Sequence, residues 1–290
     1  MANEKQLNQT TPATPDAAAA KSPDVAEKSS KRMAFQVMEA YKMIRTNLMF
    51  ALANKDSNAV IVSSAEPSAG KSTLSANLAI VMAQTGARVL LIDADMRKPT
   101  QHRNFQLSRT MGLSKILGGL ATVEECLHKD AKPNVDVILS GPTPPNPSEL
   151  LGSARMKNLL DEMNEKYDYI FIDMPPLCVV ADALVAAPMA AGVVLVARHN
   201  QTMYEEFAEA LEKVESAGGA LLGVVLSDMH SSVGSYGRYG YGRYGYGRYG
   251  YNRYGYGRYG YGRYGRYGRY GGYRYYQRYD YEYGNNSGKK

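Results

Sequence analysis

The segment Ala59-Val60-Ile61-Val62-Ser63-Ser64-Ala65-Glu66-Pro67-Ser68-Ala69-Gly70-Lys71-Ser72-Thr73 decides the fold of this 290-residue chain. A short apolar run ends in a turn, and the following LSANLAIVMAQTG (residues 74–86) has the pattern of a helix. The phosphate-loop signature is Gly-x4-Gly-Lys-Ser/Thr between a strand and a helix. Here Ala65 stands where the first glycine is usual. Phosphate binding needs inward-pointing backbone N–H groups, the positive end of a helix, a lysine for the β- and γ-phosphates and a hydroxyl for Mg²⁺. Gly70, Lys71, Ser72 and Thr73 supply these, so Ala65, Glu66, Pro67, Ser68, Ala69 and the four residues after them form the candidate nucleotide site. A Gly-Lys-Ser triplet alone is common by chance; its place between strand and helix gives it weight.

Outward from this loop, apolar runs at 59–63, 89–92, 135–139, 169–172, 193–197 and 221–226 alternate with helical stretches near 72–85, 148–166, 181–188 and 201–217. Near-continuous apolar strands alternating with helices predict an α/β fold, a mostly parallel sheet covered by helices on both faces. An amphipathic pattern over 32–53, carried by Phe35, Met38, Ile44, Leu48 and Leu52, predicts one more helix ahead of the first strand. The expected plan is a flexible leader at 1–31, one P-loop domain at 32–230 and a tail at 231–290.

Two of the strands end in acids. Residues 90–99 read Leu-Leu-Ile-Asp93-Ala-Asp95-Met-Arg97-Lys98-Pro99, and residues 169–176 read Tyr-Ile-Phe-Ile-Asp173-Met-Pro-Pro. Alternate residues of an extended strand share a side, so Asp93 and Asp95 both face the site if strand geometry persists. A lone aspartate at a strand end is as readily a turn or cap. Three beside a phosphate loop point to metal and phosphoryl chemistry, with Asp173 in the Walker B place.

The tail is of another kind. Twenty of the 24 tyrosines fall between Tyr236 and Tyr283, in YGRYGYGRYG-type repeats with ten arginines. With Lys289 and Lys290 against Asp280 and Glu282, its net charge is +10; the total of +6 leaves about −4 for the rest. So few aliphatic residues cannot offset the ordering entropy, which predicts a disordered segment. Cys126 and Cys178 fit no metal or CxxC spacing and read as buried, reduced thiols. The four histidines show no catalytic spacing. The apolar runs are too short to span a bilayer, and the N-terminus lacks a signal-peptide layout.

Taken together, these residues resemble a bacterial tyrosine kinase of the type that accompanies capsule and exopolysaccharide synthesis. The likeness runs over 39–227. It rests on the Walker A segment at 64–73, the additional acidic Walker A′ motif at 90–99 and the Walker B segment at 170–176. It also includes the stretch GPTPPNPSELL at 141–151, His102-Arg103-Asn104-Phe105 and the closing tyrosine cluster. Such kinases resemble ParA/MinD-type ATPases in fold. The resemblance implies ATP and Mg²⁺ as cofactors. It implies that Lys71 neutralises the transferring phosphoryl, that Ser72, Asp95 and Asp173 hold or orient the metal, and that Asp93 accepts the phenolic proton. A phenol of pKa about 10 against a carboxylate near 4 makes proton transfer late and positioning dominant. Implied acceptors include Tyr236, Tyr239, Tyr241, Tyr244, Tyr273, Tyr275, Tyr276, Tyr279, Tyr281 and Tyr283.

The family's Glu-x2-Arg-x2-Arg subunit-contact motif reads here as Glu39, Lys42 and Arg45, with lysine replacing an arginine whose bidentate contact it cannot reproduce. A solvated charged face is the plainer reading of that triplet. Implied partners are a membrane polysaccharide co-polymerase whose cytosolic end activates the kinase, further copies of the chain in a ring, and a cognate tyrosine phosphatase. The implied place is the cytoplasm, at the inner face of the membrane. Two rivals stand beside this reading. One is a ParA/MinD-type ATPase, whose signature lysine would occupy the place of Glu66. The other is a nucleotide-gated module whose Tyr/Arg tail binds nucleic acid or condenses.

Overall fold

The computed structural model describes residues 23–229, with side chains from Ala34 onward. A seven-stranded sheet of order β3-β4-β2-β5-β1-β6-β7 forms its centre. Its strands are β1 (Ala59–Ser64), β2 (Val89–Asp93), β3 (Leu127–Lys132), β4 (Val135–Ile138), β5 (Tyr169–Asp173), β6 (Gly192–Arg198) and β7 (Leu221–Ser227). All neighbours pair in parallel except β3, which runs antiparallel to β4 at one margin. The six expected strands are all present. β3 was not expected: its sequence LHKDAK alternates poorly and stays partly exposed, as an edge strand with one solvated face does.

The buried strands β1, β2 and β5 separate two apolar layers. Ile61, Leu90, Ile92, Ile170 and Ile172 face one, with α7 (Ala154–Lys166) and α9 (Tyr204–Ser216) against them. Val60, Val62, Leu91 and Phe171 face the other, packed by α1 (Pro23–Leu52) and α2 (Lys71–Ala83). α1 begins within the stretch expected as leader, at Pro23, a residue suited to a first helical position because it needs no amide partner there. The helix expected over 148–166 is two: α6 (Pro147–Leu151) stops at Gly152, and Ser153 caps α7 by accepting from the Met156 amide. Short helices α3 (Gln101–Asn104), α4 (Leu113–Gly118), α5 (Val123–Cys126) and α8 (Asp182–Ala186) complete the set. The tyrosine-rich segment 231–290 and its acceptors lie outside the described residues, as do residues 1–22.

Candidate active site

β1 lies inside the sheet between β5 and β6, and the chain leaves its C-terminal end into the phosphate loop. Ligands of open α/β sheets bind at such ends. Gly70 has φ 96°, a left-handed conformation that glycine adopts without strain, and the chain enters α2 directly after it. Ser64 Oγ donates to the Glu66 carbonyl at 2.6 Å and Ser63 Oγ to the Pro175 carbonyl at 2.7 Å, tying the loop to the Walker B segment. On the far side, Ser227 Oγ of β7 donates to the Ala69 carbonyl at 2.6 Å. The loop edges a cavity of about 970 Å³, walled also by Ser72, Thr73, Asp95, Lys98, Arg103 and Asn104.

Lys71 and the three aspartates converge behind this cavity. Lys71 Nζ donates to Asp95 Oδ2 at 2.8 Å and to Ser72 Oγ at 3.3 Å, and lies 3.8 Å from Asp173 Oδ1. Asp93 and Asp173 are opposite one another in the β2–β5 register. Strand geometry does not persist past Asp93. The chain turns there, and the Lys98 amide donates back to Asp95 Oδ1 at 2.8 Å. Asp95 therefore reaches the cavity wall, whereas Asp93 and Asp173 are fully buried behind it.

These positions set the protonation energetics. Burial, then Asp173 and Asp95, push the Asp93 carboxyl well above its ordinary range, opposed by the Gln101 amide and Lys71. Burial also raises Asp173, opposed first by Lys71. Burial works to lower Lys71, but Asp173 and Asp95 outweigh it and hold the ammonium charged. Ser72, Asp95 and Asp173 are hard oxygen donors, and Asp173 Oδ1 is buried with no hydrogen-bond partner. That donor set fits Mg²⁺.

Gln101 was not singled out in the sequence, yet it organises the cluster. Its amide N–H donates to Asp93 Oδ2 at 3.1 Å, and its side-chain NH₂ donates to Asp173 Oδ2 at 2.8 Å, the Ser72 carbonyl at 3.0 Å and Ser75 Oγ at 3.1 Å. Asn104 Nδ2 donates to its carbonyl oxygen at 3.0 Å. A second unexpected link ties the Walker A′ loop to the proline-rich segment. Arg97 grips the buried Asp182 with two donors at 2.9 and 3.0 Å, and Ser148 Oγ donates to the same carboxylate.

The subunit-contact triplet is divided. Lys42 pairs with Glu39 at 2.8 Å on the surface, while Arg45 donates inward to the Val81 carbonyl of α2 at 3.0 Å. Glu66 also turns inward, accepting from Thr202 Oγ1 of its own chain. Cys126 is buried as expected; Cys178 is only half-buried.

A family model described as an AAA domain matches residues 57–216, more than half of the chain. Tyrosine-protein kinase YwqD of Bacillus subtilis is 43% identical over 69% of this chain and 86% of its own length. The kinase domain of Escherichia coli tyrosine kinase ETK superposes with a TM-score of 0.65 at 36% identity, over 67% of this chain and 77% of that one. The chimerical protein CapA2B2 does so with a TM-score of 0.62 at 40% identity, over 65% and 83%. Other relatives are longer: the chain spans 29% of tyrosine-protein kinase ptk of Acinetobacter johnsonii. The cell-division ATPase MinD of Pyrococcus furiosus, at 24% identity and a TM-score of 0.50, shares the fold alone. The fold and the phosphate loop thus define a P-loop protein of the AAA type. Within that class, the chain belongs to the bacterial tyrosine kinases of the capsule and exopolysaccharide type, and it is a protein-tyrosine kinase.

Proposed function

We propose that this kinase transfers the γ-phosphoryl of ATP to tyrosines of its own C-terminal segment, in trans between neighbouring copies, and so regulates polymerisation or export of a capsular or exopolysaccharide. The observation that carries this reading is the convergence of Lys71, Asp93, Asp95 and Asp173 behind a phosphate-loop cavity, in a chain that ends with twenty tyrosines. Ala65 to Thr73 bind the phosphates. Lys71 exchanges its Asp95 contact for β- and γ-phosphate oxygens, and Ser72, Asp95 and Asp173 would hold Mg²⁺. Bound there, the metal neutralises charge on the phosphate oxygens.

A tyrosine Oη–P bond forms as the γ-phosphorus breaks from its bridging oxygen, and ADP leaves. The phenolic proton passes to Asp93. Its raised pKa narrows the gap to the phenol and makes it a better base than a solvent-exposed aspartate. Asp93 lies behind the wall, so the acceptor ring enters past Asp95 and Lys98. In-line alignment and electrostatics supply most of the acceleration for a loose transition state.

If the 55 residues from Tyr236 to Lys290 behave as a Gly-rich flexible chain, they would span roughly 40 Å, by about 5–6 Å × √n, enough to reach an adjacent copy. Ring assembly through Glu39, Lys42 and Arg45 would supply that neighbour; with Arg45 turned onto Val81, the surface pair Glu39–Lys42 is the part available to it. No helix among the described residues is long and apolar enough to cross a membrane. Recruitment and activation by the cytosolic end of a membrane co-polymerase, and reversal by a tyrosine phosphatase, complete the proposed cycle. Labelling with ATP and Mg²⁺, followed by phosphotyrosine mapping, tests the reading. Phosphate on several tail tyrosines, absent in Lys71→Met and Asp93→Asn and increased by the co-polymerase peptide, is the expected result; phosphate confined to the folded domain would overturn it.

A further inference from the structure

β7 is the outermost strand of the sheet among the described residues, so its outer row of backbone N–H and C=O groups lacks a ladder partner. Its register with β6 places Val224 beside Leu195 and Leu226 beside Ala197, on the face that α9 covers. Both nevertheless remain about half exposed, at 47% and 49%. α9, on the same face of the sheet, carries a run of acids. Glu205, Glu206, Glu209, Glu212 and Glu215 are all exposed, with Lys213 the helix's one cation, paired to Glu209 at 2.8 Å. Glu205, Glu209 and Glu212 recur at spacings of four and three and so share one helix face. On the side of α9 toward the phosphate loop, partial burial first, then Glu66, Glu209 and Glu205, raise the Glu206 carboxyl.

The chain's own continuation is complementary to this surface in charge and in aromatic content. The segment after His230 carries +10, alternates tyrosine with arginine and contains no proline, so it can pair with a strand edge. It also departs nearby. β7 ends at Ser227, which is bonded to the phosphate loop, and Asp228 is held by Arg198 at 2.9 Å, at the end of the sheet where α9 begins.

We propose that the acidic face of α9 and the apolar edge of β7 form a docking surface for the unphosphorylated Tyr/Arg tail of the same chain, residues 231–290. Tyrosine rings cover Val224 and Leu226 while arginines pair with the α9 glutamates. Tethering gives a local concentration of roughly millimolar, so millimolar intrinsic affinity suffices for half occupancy. Each phosphate adds about −1.5 to −2 charges, so roughly five to seven cancel the tail's charge and release it from an acidic surface. The docking stands on surface and charge alone; only the release rests on the kinase reading.

The test is photo-crosslinking of the full-length, dephosphorylated chain, without nucleotide, carrying a benzophenone amino acid in place of Val224. Links to tail peptides are expected within single chains of a ¹⁴N/¹⁵N mixture. They should fall at least about fivefold in Glu205→Gln/Glu209→Gln/Glu212→Gln and at 0.5 M salt, where screening shortens to a few ångströms. Equal linking in the triple variant, links only between isotopically different chains, or links to another molecule's folded domain would each overturn the proposal. Amide exchange provides an independent reading without the probe. β7 amides should exchange at least about threefold slower in the unphosphorylated chain than in the triple variant, since an edge strand gains protection only by pairing; equal rates would overturn the docking while leaving the kinase assignment intact.

Discussion

Lys71 Nζ is bound to Asp95 Oδ2 at 2.8 Å, a buried ion pair at the inner wall of the nucleotide cavity. Removing one partner of such a pair leaves the other charge uncompensated, typically at 3–5 kcal/mol. Proton uptake by the raised carboxyls Asp93 and Asp173 offsets part of this. Lys71→Met should therefore destabilise the nucleotide-free protein by about 2–3 kcal/mol, toward the lower end of what a broken buried pair costs. Mg-ADP at one hundred times its Kd should stabilise the wild type by about 2.7 kcal/mol and the variant hardly at all. Thermal melts with and without nucleotide measure both effects.

Asp93→Asn should raise stability while abolishing phosphotransfer. The folded-state pKa of Asp93 is raised, so the folded protein binds its proton more tightly than the unfolded chain does. The resulting penalty is fully present above the folded pKa and is relieved as pH falls. Wild-type stability should accordingly rise from pH 7.5 toward pH 5.5. The variant should show a shallower slope and a midpoint higher by about 2–4 °C at pH 7.5, equivalent to roughly 1 kcal/mol in a domain of this size. Melting curves across this range decide it.

The sheet was legible because parallel strands buried on both faces must be almost wholly apolar, and residues 59–62, 89–92 and 169–172 are. β3 was not, since LHKDAK is a half-solvated edge whose place depends on pairing with β4. Likewise the charged groups of the site announced themselves together: any one strand-end aspartate could be a cap, but three of them beside a phosphate-loop lysine point to metal and phosphoryl chemistry. Gln101 did not, because an uncharged residue opening a four-residue helix carries no periodicity, and its importance arises only when β2, β5 and α2 meet around it. The inward turn of Arg45 was hidden for the same reason. Helical spacing shows which residues share a face but not which neighbour covers it.

Gln101→Leu tests that hub. It leaves Asp173 Oδ2 and Ser75 without their donor, at about 1–3 kcal/mol for the buried polar groups left unpaired. Misplacing the carboxylates should lower kcat about 10–100-fold, with a smaller change in KM for ATP. Gln101→Glu keeps the shape but adds a fourth acid and should be worse than leucine. Steady-state kinetics of the two variants compare them directly.

Arg97→Ala and Asp182→Asn should differ although they cut the same link. Arg97 keeps access to water, whereas Asp182 is fully buried. Losing the arginine strands a buried carboxylate at about 3–5 kcal/mol; neutralising the aspartate removes the charge that needed a partner and should cost about half as much or less. Denaturant unfolding of both variants measures the asymmetry.

Cys178 should alkylate slowly despite its partial exposure. Burial, the first cause, pushes its thiol up to about 11, so roughly one part in a thousand is thiolate at pH 8. Iodoacetamide labelling of native protein should increase about tenfold per pH unit between 7 and 9, and denaturation should abolish the difference from free cysteine.

The central claim is transfer from this site to the tyrosine tail of a neighbouring copy. An active chain ending at residue 230 is mixed with full-length Asp93→Asn donor, Mg²⁺, labelled ATP and the activating peptide, and the two are separated by size. The account predicts label on the donor's tyrosines between 236 and 283, none on the donor incubated alone and none on the truncated enzyme. A donor that stays unlabelled in the mixture, while the wild-type chain labels its own tail, would contradict it.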